Sequence, residues 1–163
     1  TDGANGGGGF MDVGSYCASF ARLATGEEPD RVEYTANLDR GYDAYGAGCL
    51  HFPGGAVATV ASGVHLAMRN EAAVYGEDGW IRVQDPWKSA PGTTMTLHRN
   101  GSAPDVFSLG CTDIELYAHE ADAVADHLAA GECPFMTVDD TLGNMRTLDR
   151  MRASCGLKFA VEA

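Results

Sequence analysis

The stretch GGGGFMDVGSYCASFARLATG, residues 6–26, joins a glycine run to a helical repeat and decides how the fold begins. Apolar side chains recur at helical spacing from Phe10 onward, which predicts an amphipathic helix that runs to about Thr25. Gly26 predicts its end, because glycine enters the left-handed backbone of a helix cap without steric cost. Gly14 lowers helix propensity and indicates that another group approaches the helix backbone closely.

Seven β-strands are predicted downstream of this helix from alternating apolar residues and turn signals. They cover residues 31–38, 45–52, 56–65, 71–75, 80–83, 94–99 and 106–109. The turn Pro53-Gly54-Gly55 is typical of a β-hairpin between the second and third strands. Two further helices are predicted at residues 115–130 and 137–155, each followed by a glycine that stops it.

Strands grouped between helices favour an α+β fold over an alternating α/β fold. We expect an open, mostly antiparallel sheet of six to seven strands with helices packed on one face. Such a sheet leaves its other face uncovered, and an apolar open face is a natural surface for a homo-oligomer. The length of 163 residues fits one domain spanning residues 1–163.

Composition excludes several classes of partner. The net charge is −12 and lysine occurs only at positions 88 and 158, which argues against nucleic acid. The sequence has no apolar run long enough to span a membrane and no secretory signal pattern, so we expect no membrane association. The five cysteines lack the spacing of a zinc site or a disulfide framework, which indicates no metal and a cytoplasmic location.

Asp12 and Tyr16 are the residues in the first helix that point to chemistry. Four residues apart, they share one helix face, so the carboxylate can orient the phenol. A phenol placed in this way can pass a proton to or from an alcohol oxygen during hydride transfer to a nicotinamide. The alternative is structural: Asp12 then complements the helix dipole, and Tyr16 is an aromatic residue at the rim of the core.

The glycine run does not match a dinucleotide-binding loop. That loop needs GxGxxG spacing after a strand, and here the spacing differs and no strand precedes the run. Gly8 and Gly9 instead predict a place where a substrate or cofactor approaches the helix start closely. A flexible linker is the alternative from composition.

Residues 6–29 resemble the start of the C-terminal domain in the glucose–fructose oxidoreductase, inositol dehydrogenase and MocA family (Gfo/Idh/MocA). The family motif GGG-x-x-x-D-x-G-x-[HY] matches here, with Asp12 and Tyr16 at its last two specified polar positions. Three later segments are also similar, in order: LHFPGGAVATVASG, YGEDGWIRVQDPW and MTVDDTLGNMRTLDRMRAS. The resemblance extends from about Gly6 to Ser154.

The resemblance implies roles for particular residues. Asp12 matches the family's substrate-binding and catalytic aspartate. Tyr16 falls where many members have His and others have Tyr. The tyrosine is similar to the dihydrodiol dehydrogenase and glucose–fructose oxidoreductase branch more than to the inositol dehydrogenase branch. A sugar, polyol or related cyclic alcohol is the implied substrate, with His65, Arg69 and Trp87 as candidate substrate-binding residues. Simpler structural roles remain open for these last three.

The resemblance also implies a partner domain. The family's Rossmann domain and the lysine of its E-K-P motif precede this region, and neither occurs in the sequence. The chain begins TDGANGGGG without a methionine, so we interpret it as the C-terminal domain of a longer NAD- or NADP-dependent oxidoreductase. We expect no cofactor binding and no turnover by this chain alone. The alternative is a standalone, non-catalytic α+β binding or dimerisation module.

Overall fold

The structure is a computed structural model that describes residues 6–159. The chain divides into two compact units. The first comprises the residues up to Met68 together with those from Thr137 onward, and the second comprises Arg69–Met136.

The first unit contains a three-stranded sheet and two of the helices. Its elements are a π-helical turn at Phe10–Gly14, α1 at Ser15–Thr25, β1 at Arg31–Asp39, β2 at Tyr42–His51, β3 at Val57–Gly63 and α3 at Val138–Cys155. The strands pair antiparallel in the order β1-β2-β3. The predicted first helix is confirmed in extent, but it opens with a π turn. Gly26 ends it at φ 69°, as predicted.

The second unit contains a four-stranded antiparallel sheet and a helix. Its elements are β4 at Glu71–Gly76, β5 at Gly79–Gln84, β6 at Thr94–Arg99, β7 at Asp105–Ser108, α2 at Asp113–His127 and a 3₁₀ turn at Leu128–Ala130. The strands pair in sequence order. Tyr75, Trp80 and His98 lie opposite one another across three strands, and the rings of Trp80 and His98 stack 3.7 Å apart.

The α+β class and the antiparallel pairing are confirmed. Hydrogen bonding arranges the strands as sheets of three and four rather than the single sheet expected from the sequence. The reason lies after Gly63, where residues 64–70 leave the strand conformation and β4 pairs with β5 through the turn at 76–79. Among the described residues, no helix has the length and apolar character needed to cross a membrane.

The core of the first unit lies between its sheet and its helices. Even-numbered residues of β3, and of β1 as far as Ala36, face this core, whereas most odd-numbered residues are exposed. Leu38 is exposed because the register of β1 shifts after Asn37. Phe10 is fully buried and meets the Tyr34 ring edge-to-face at 6.2 Å. The other main contributors are Ala18, Leu50, Phe52, Val60, Leu148 and Met151.

The C-terminal end of α1 is tied to α3 by a buried arginine. The Arg22 guanidinium binds both carboxylate oxygens of Glu28 and lies 3.0 Å from a carboxylate oxygen of Asp140. Gly143 makes room for it, because a Cβ there would lie 2.3 Å from Arg22 Nη2. The helix that carries Asp12 and Tyr16 is therefore fixed at its far end by ion pairs.

Candidate functional site

Asp12 and Tyr16 lie at the opening of the first helix. Asp12 belongs to the π turn and Tyr16 to the first turn of α1, so their side chains are about one helical turn apart. Both are exposed, and Tyr16 keeps 52% of its surface accessible. The helical placement is as predicted, and the arrangement presents a carboxylate and a phenol to solvent on neighbouring turns. Their catalytic roles stay predictions.

The start of this helix is held by a carboxylate from β2. Asp43 is fully buried, and its Oδ2 accepts a hydrogen bond of 2.8 Å from the backbone N–H of Phe10. The contact satisfies one of the backbone donors that every helix start leaves without an intrahelical partner. A negative charge also interacts favourably with the positive end of the helix dipole.

Gly8 and Gly9 pack directly over the same carboxylate. A Cβ on Gly8 would lie 2.2 Å from Asp43 Oδ1, and one on Gly9 would lie 3.0 Å from Oδ2. Gly8 also has φ 149°, which side-chain-bearing residues rarely adopt. We call Gly8, Gly9, Phe10 and Asp43 the anchor cluster. The contact that the structure provides for the two glycines is with Asp43, and their predicted contact with a cofactor stays a prediction.

Burial sets the ionisation of the groups beneath the helix. Burial raises the pKa of Asp43 to about 6, although backbone N–H groups, including those of Phe10 and Gly9, partly offset it. Asp43 Oδ1 has no hydrogen-bond partner, which adds to the cost of a buried charge. Burial also raises the pKa of Tyr34 to about 12, and the Tyr34 hydroxyl lies 3.4 Å from Ser62 Oγ.

His65 follows β3 and belongs to a short polar chain. Its Nε2 lies 3.3 Å from the Tyr42 hydroxyl, which donates to Asp39 Oδ2 at the same distance. The pKa of Tyr42 is raised by burial and by the Asp39 carboxylate. Since the hydroxyl hydrogen goes to Asp39, the imidazole N–H is the donor to Tyr42. His65 thus has both a structural partner and an exposed ring.

The remaining predicted substrate residues lie in the second unit. Arg69 is exposed at its start, and Trp87 is half-buried after β5. Asp12, Tyr16 and His65 belong to the first unit. Within residues 6–159, no group of three or more His, Cys, Asp or Glu side chains is arranged to hold a metal ion.

The first unit also has a shallow hollow on the side of its sheet that faces away from α1 and α3. The hollow has a volume of about 440 Å³. We call this side the open face; its lining includes Thr35, Asn37, Tyr45, Ala47, Ala61 and Met68. Ala47 on β2 and Ala61 on β3 present small side chains to this hollow. The arrangement suits contact with an apolar or weakly polar surface.

Sequence reasoning missed Asp43. The second strand was predicted to begin at Tyr45, whereas β2 begins at Tyr42 and takes Asp43 inside the sheet. The signal that could have corrected this is Arg40-Gly41, since both residues adopt positive φ and form the turn between β1 and β2. An early strand start would have placed a carboxylate in a buried strand.

A family model described as the GFO/IDH/MocA C-terminal domain matches residues 1–82, about half of the chain. The chain belongs to this family. The resemblance stated from the glycine–aspartate motif is therefore confirmed. Because the match includes the first helix and the first three strands, Asp12, Tyr16 and the anchor cluster all lie within the matched region of this GFO/IDH/MocA chain.

Curated relatives of this GFO/IDH/MocA chain are oxidoreductases. It is 31% identical over 160 residues to the NADP-dependent D-xylose 1-dehydrogenase 2 of Haloferax volcanii, covering 96% of this chain and 48% of that protein. It is 28% identical over 167 residues to the trans-1,2-dihydrobenzene-1,2-diol dehydrogenase of Mus musculus, covering 98% and 49%. The chain spans about half the length of the curated relatives that it matches.

Solved structures of family members share the fold. A complex of KijD10, a 3-ketoreductase from Actinomadura kijaniata, with NADP and TDP-benzene gives a TM-score of 0.78 at 23% identity, over 92% of this chain and 46% of that one. The UDP-N-acetylglucosamine 3-dehydrogenase GnnA from Acidithiobacillus ferrooxidans gives 0.76 at 15% identity, over 90% and 46%. At these identities the likeness shows the fold alone.

Proposed function

We propose that this chain is the substrate-binding and dimerisation domain of an NAD(P)-dependent oxidoreductase that acts on a sugar, polyol or related cyclic alcohol. The observation that carries the proposal is the exposed Asp12–Tyr16 pair at an anchored helix start, within a GFO/IDH/MocA domain. The proposal is supported by an NADP-dependent xylose dehydrogenase and dihydrodiol dehydrogenases among the relatives.

Tyr16 is the proposed proton relay. Its phenol is accessible, so it can hydrogen-bond a substrate hydroxyl and pass a proton to or from that oxygen. Asp12, one turn earlier, orients the substrate hydroxyl or the phenol through its carboxylate. A bound nicotinamide supplies or accepts the hydride. An N-terminal Rossmann domain outside this sequence would hold that cofactor, and we expect the chain alone to bind none.

Three further residues are candidate substrate contacts, one in the first unit and two in the second. His65, Arg69 and Trp87 are proposed to contact the substrate, through imidazole and guanidinium hydrogen bonds and through stacking on the indole. His65 and Arg69 are exposed and Trp87 is half-buried, which supports access to a small molecule. We keep Gly8 and Gly9 as the predicted cofactor-facing residues, although the contact that the structure supports for both is packing against Asp43.

The open face is the proposed homodimer surface. It is concave, it lies on the side of the sheet away from α1 and α3, and Tyr45 on it is 40% exposed. Aromatic residues and methionine are enriched in such interfaces, and Tyr45 and Met68 both line the hollow. The five cysteines are all free thiols, which supports a reducing, cytoplasmic setting for the parent enzyme.

Replacement of Tyr16 by phenylalanine in the parent enzyme tests the proton relay. The change removes only the hydroxyl, so the fold should persist while kcat falls by about 10²–10⁴, the range of a lost general acid or base. Steady-state kinetics with a sugar or polyol panel and NADP give the measurement. Tyr117→Phe is the matched control, because Tyr117 is a similarly exposed tyrosine on α2, outside the proposed site and the open face. Near-normal turnover of Tyr16→Phe would exclude the role.

A further inference from the structure

We infer that Asp43 is a positioning residue, whose carboxylate fixes the start of the helix that presents Asp12 and Tyr16. The inference rests on the proposed function for its catalytic meaning, and on geometry for its structural part. Asp43 lies 33 positions along the chain from Phe10, yet its Oδ2 accepts the Phe10 N–H bond at 2.8 Å. A carboxylate from a strand therefore does what a capping side chain normally does from within the helix segment.

The residues around Asp43 pack closely enough to hold its carboxylate against the Phe10 N–H group. Asp43 is completely buried, and Gly8 and Gly9 come so close to its two oxygens that no side chain fits on either glycine without displacement. On β3, Gly63 closes the other side, since its Cα would lie 3.2 Å from a Cβ on Gly9. The helix start is thus clamped between β2 and β3, two turns or less from both exposed side chains.

The acceptor oxygen, rather than the charge, is what the contact requires. Burial raises the pKa of Asp43, so the fold disfavours the charged form while keeping the hydrogen bond. The carbonyl oxygen of a neutral carboxyl or amide also accepts an N–H bond. The nearby titratable groups, Tyr34 on β1 and Cys17 on α1, both have pKa values raised by burial and remain neutral, and β3 contributes Ser62.

Two substitutions distinguish the role of the acceptor oxygen from the role of the negative charge. Asp43→Asn keeps an acceptor of the same shape, so the helix start should stay in place. Asp43→Ala removes the acceptor and leaves a buried Phe10 N–H without a partner, which frees the π turn. The positions of Asp12 and Tyr16 then vary, whereas α1 beyond the π turn is still held by Arg22 at its other end.

Hydrogen exchange on the 163-residue chain tests the structural part. We expect Asp43→Ala to lower protection of the amides of Phe10–Gly14 by about tenfold, with protection in α3 unchanged and with rescue by Asp43→Asn. Asp30→Ala is the matched control, because Asp30 is an exposed aspartate. Wild-type protection in Asp43→Ala, or failure of Asp43→Asn to rescue, would overturn the inference.

A second variant covers the case in which Asp43→Ala does not fold. Gly8→Ala leaves the carboxylate in place but pushes the helix start away from it, so this variant should also lower protection at Phe10–Gly14.

In the parent enzyme, Asp43→Ala should lower kcat at least tenfold with little change in KM, and Asp43→Asn should restore most of the lost kcat. Exchange results do not depend on any activity, so failure of the inference is distinguished from failure of Tyr16→Phe to slow turnover.

Discussion

The two units use similar elements, yet they bury apolar surface very differently. All of the buried hydrophobic side chains among the described residues belong to the first unit. In the second unit, large apolar side chains are exposed instead, among them Tyr75, Phe107, Ile114, Leu128 and Phe135. The first unit therefore has a core that can hold a site rigidly, and the second has a sheet and a helix with little core of their own.

The difference explains where a precise site is expected. A helix that packs on a sheet, with an ion pair at one end and a buried acceptor at the other, keeps its side chains in fixed positions. Among the described side chains of α2, only those of Leu116, Ala123 and His127 are half-buried, and the others are exposed. The second unit thus offers surfaces for contact rather than a preorganised constellation.

The largest expected contrast comes from the same truncation in each unit. Leu50→Ala removes a fully buried side chain in the first unit and should lower the free energy of unfolding by about 2–5 kcal/mol. Leu128→Ala, where leucine is 72% exposed in the second unit, should stay within about 0.5 kcal/mol. Urea unfolding followed by circular dichroism measures both. Equal losses would contradict the difference in burial between the units.

The next contrast concerns pH. The pKa of Asp43 in the fold, about 6, exceeds its ordinary 3.8, so the fold is favoured while Asp43 is protonated. That contribution is complete below pH 4 and is lost as pH rises to 6, a change of roughly 3 kcal/mol at about 1.4 kcal/mol per pKa unit. The substitution Asp43→Asn should remove this pH-dependent contribution to the free energy of unfolding. Glu71 and Glu115 in the second unit have lowered pKa values, so their contributions are lost as pH falls.

Denaturation of wild type and Asp43→Asn at several pH values between 4 and 7 isolates this effect as a difference. The free energy of unfolding of the wild type minus that of Asp43→Asn should fall steadily as pH rises over that range. Asp30→Asn, at an exposed aspartate, should run parallel to wild type. A constant difference between wild type and Asp43→Asn would show that Asp43 titrates normally.

The smallest contrast involves the two threonine caps. Thr137 accepts from the Asp140 N–H at the start of α3, and Thr112 accepts from the Glu115 N–H at the start of α2. Each replacement by alanine removes about 1 kcal/mol of capping. Because Leu148 and Met151 bury α3 in the core, Thr137→Ala should lower the Tm, whereas Thr112→Ala should mainly increase hydrogen exchange in α2. Equal shifts in Tm would argue that α2 is as firmly held as α3.

Much of the local structure could be predicted from the sequence. The helix at 10–25, the hairpin at Pro53-Gly54-Gly55 and the last helix with its end at Gly156 are confirmed, since each depends on neighbours in sequence. The capping box of Thr112 and Glu115 was missed, although its spacing is visible in the sequence. The helix was therefore predicted to begin at Glu115, whereas α2 begins at Asp113.

The candidate site was predicted only in part. Asp12 and Tyr16 were predicted as site residues because they stand four apart on a periodic helix, and the helix that carries them is confirmed. The anchor cluster was not found, because the strand start at Tyr42 was misplaced and because nothing in the glycine run names the group that it packs against. Gly14 did predict a close approach, and the structure supplies Ser62, whose Oγ would lie 2.9 Å from a Cβ there.

The glycine-rich opening, the helix that follows it and the α+β class were determined by the sequence alone, because periodicity and backbone freedom act within a few residues. The tertiary structure decided that Asp43, 33 positions away, meets the Phe10 amide, and that the strands form two sheets. Such contacts depend on how strands pair and how closely backbones approach, and a burial-driven pKa exists only once the chain has folded. Gly8 and Gly9 connect the sequence to this tertiary contact, because the absence of side chains at both positions leaves room for the Asp43 carboxylate.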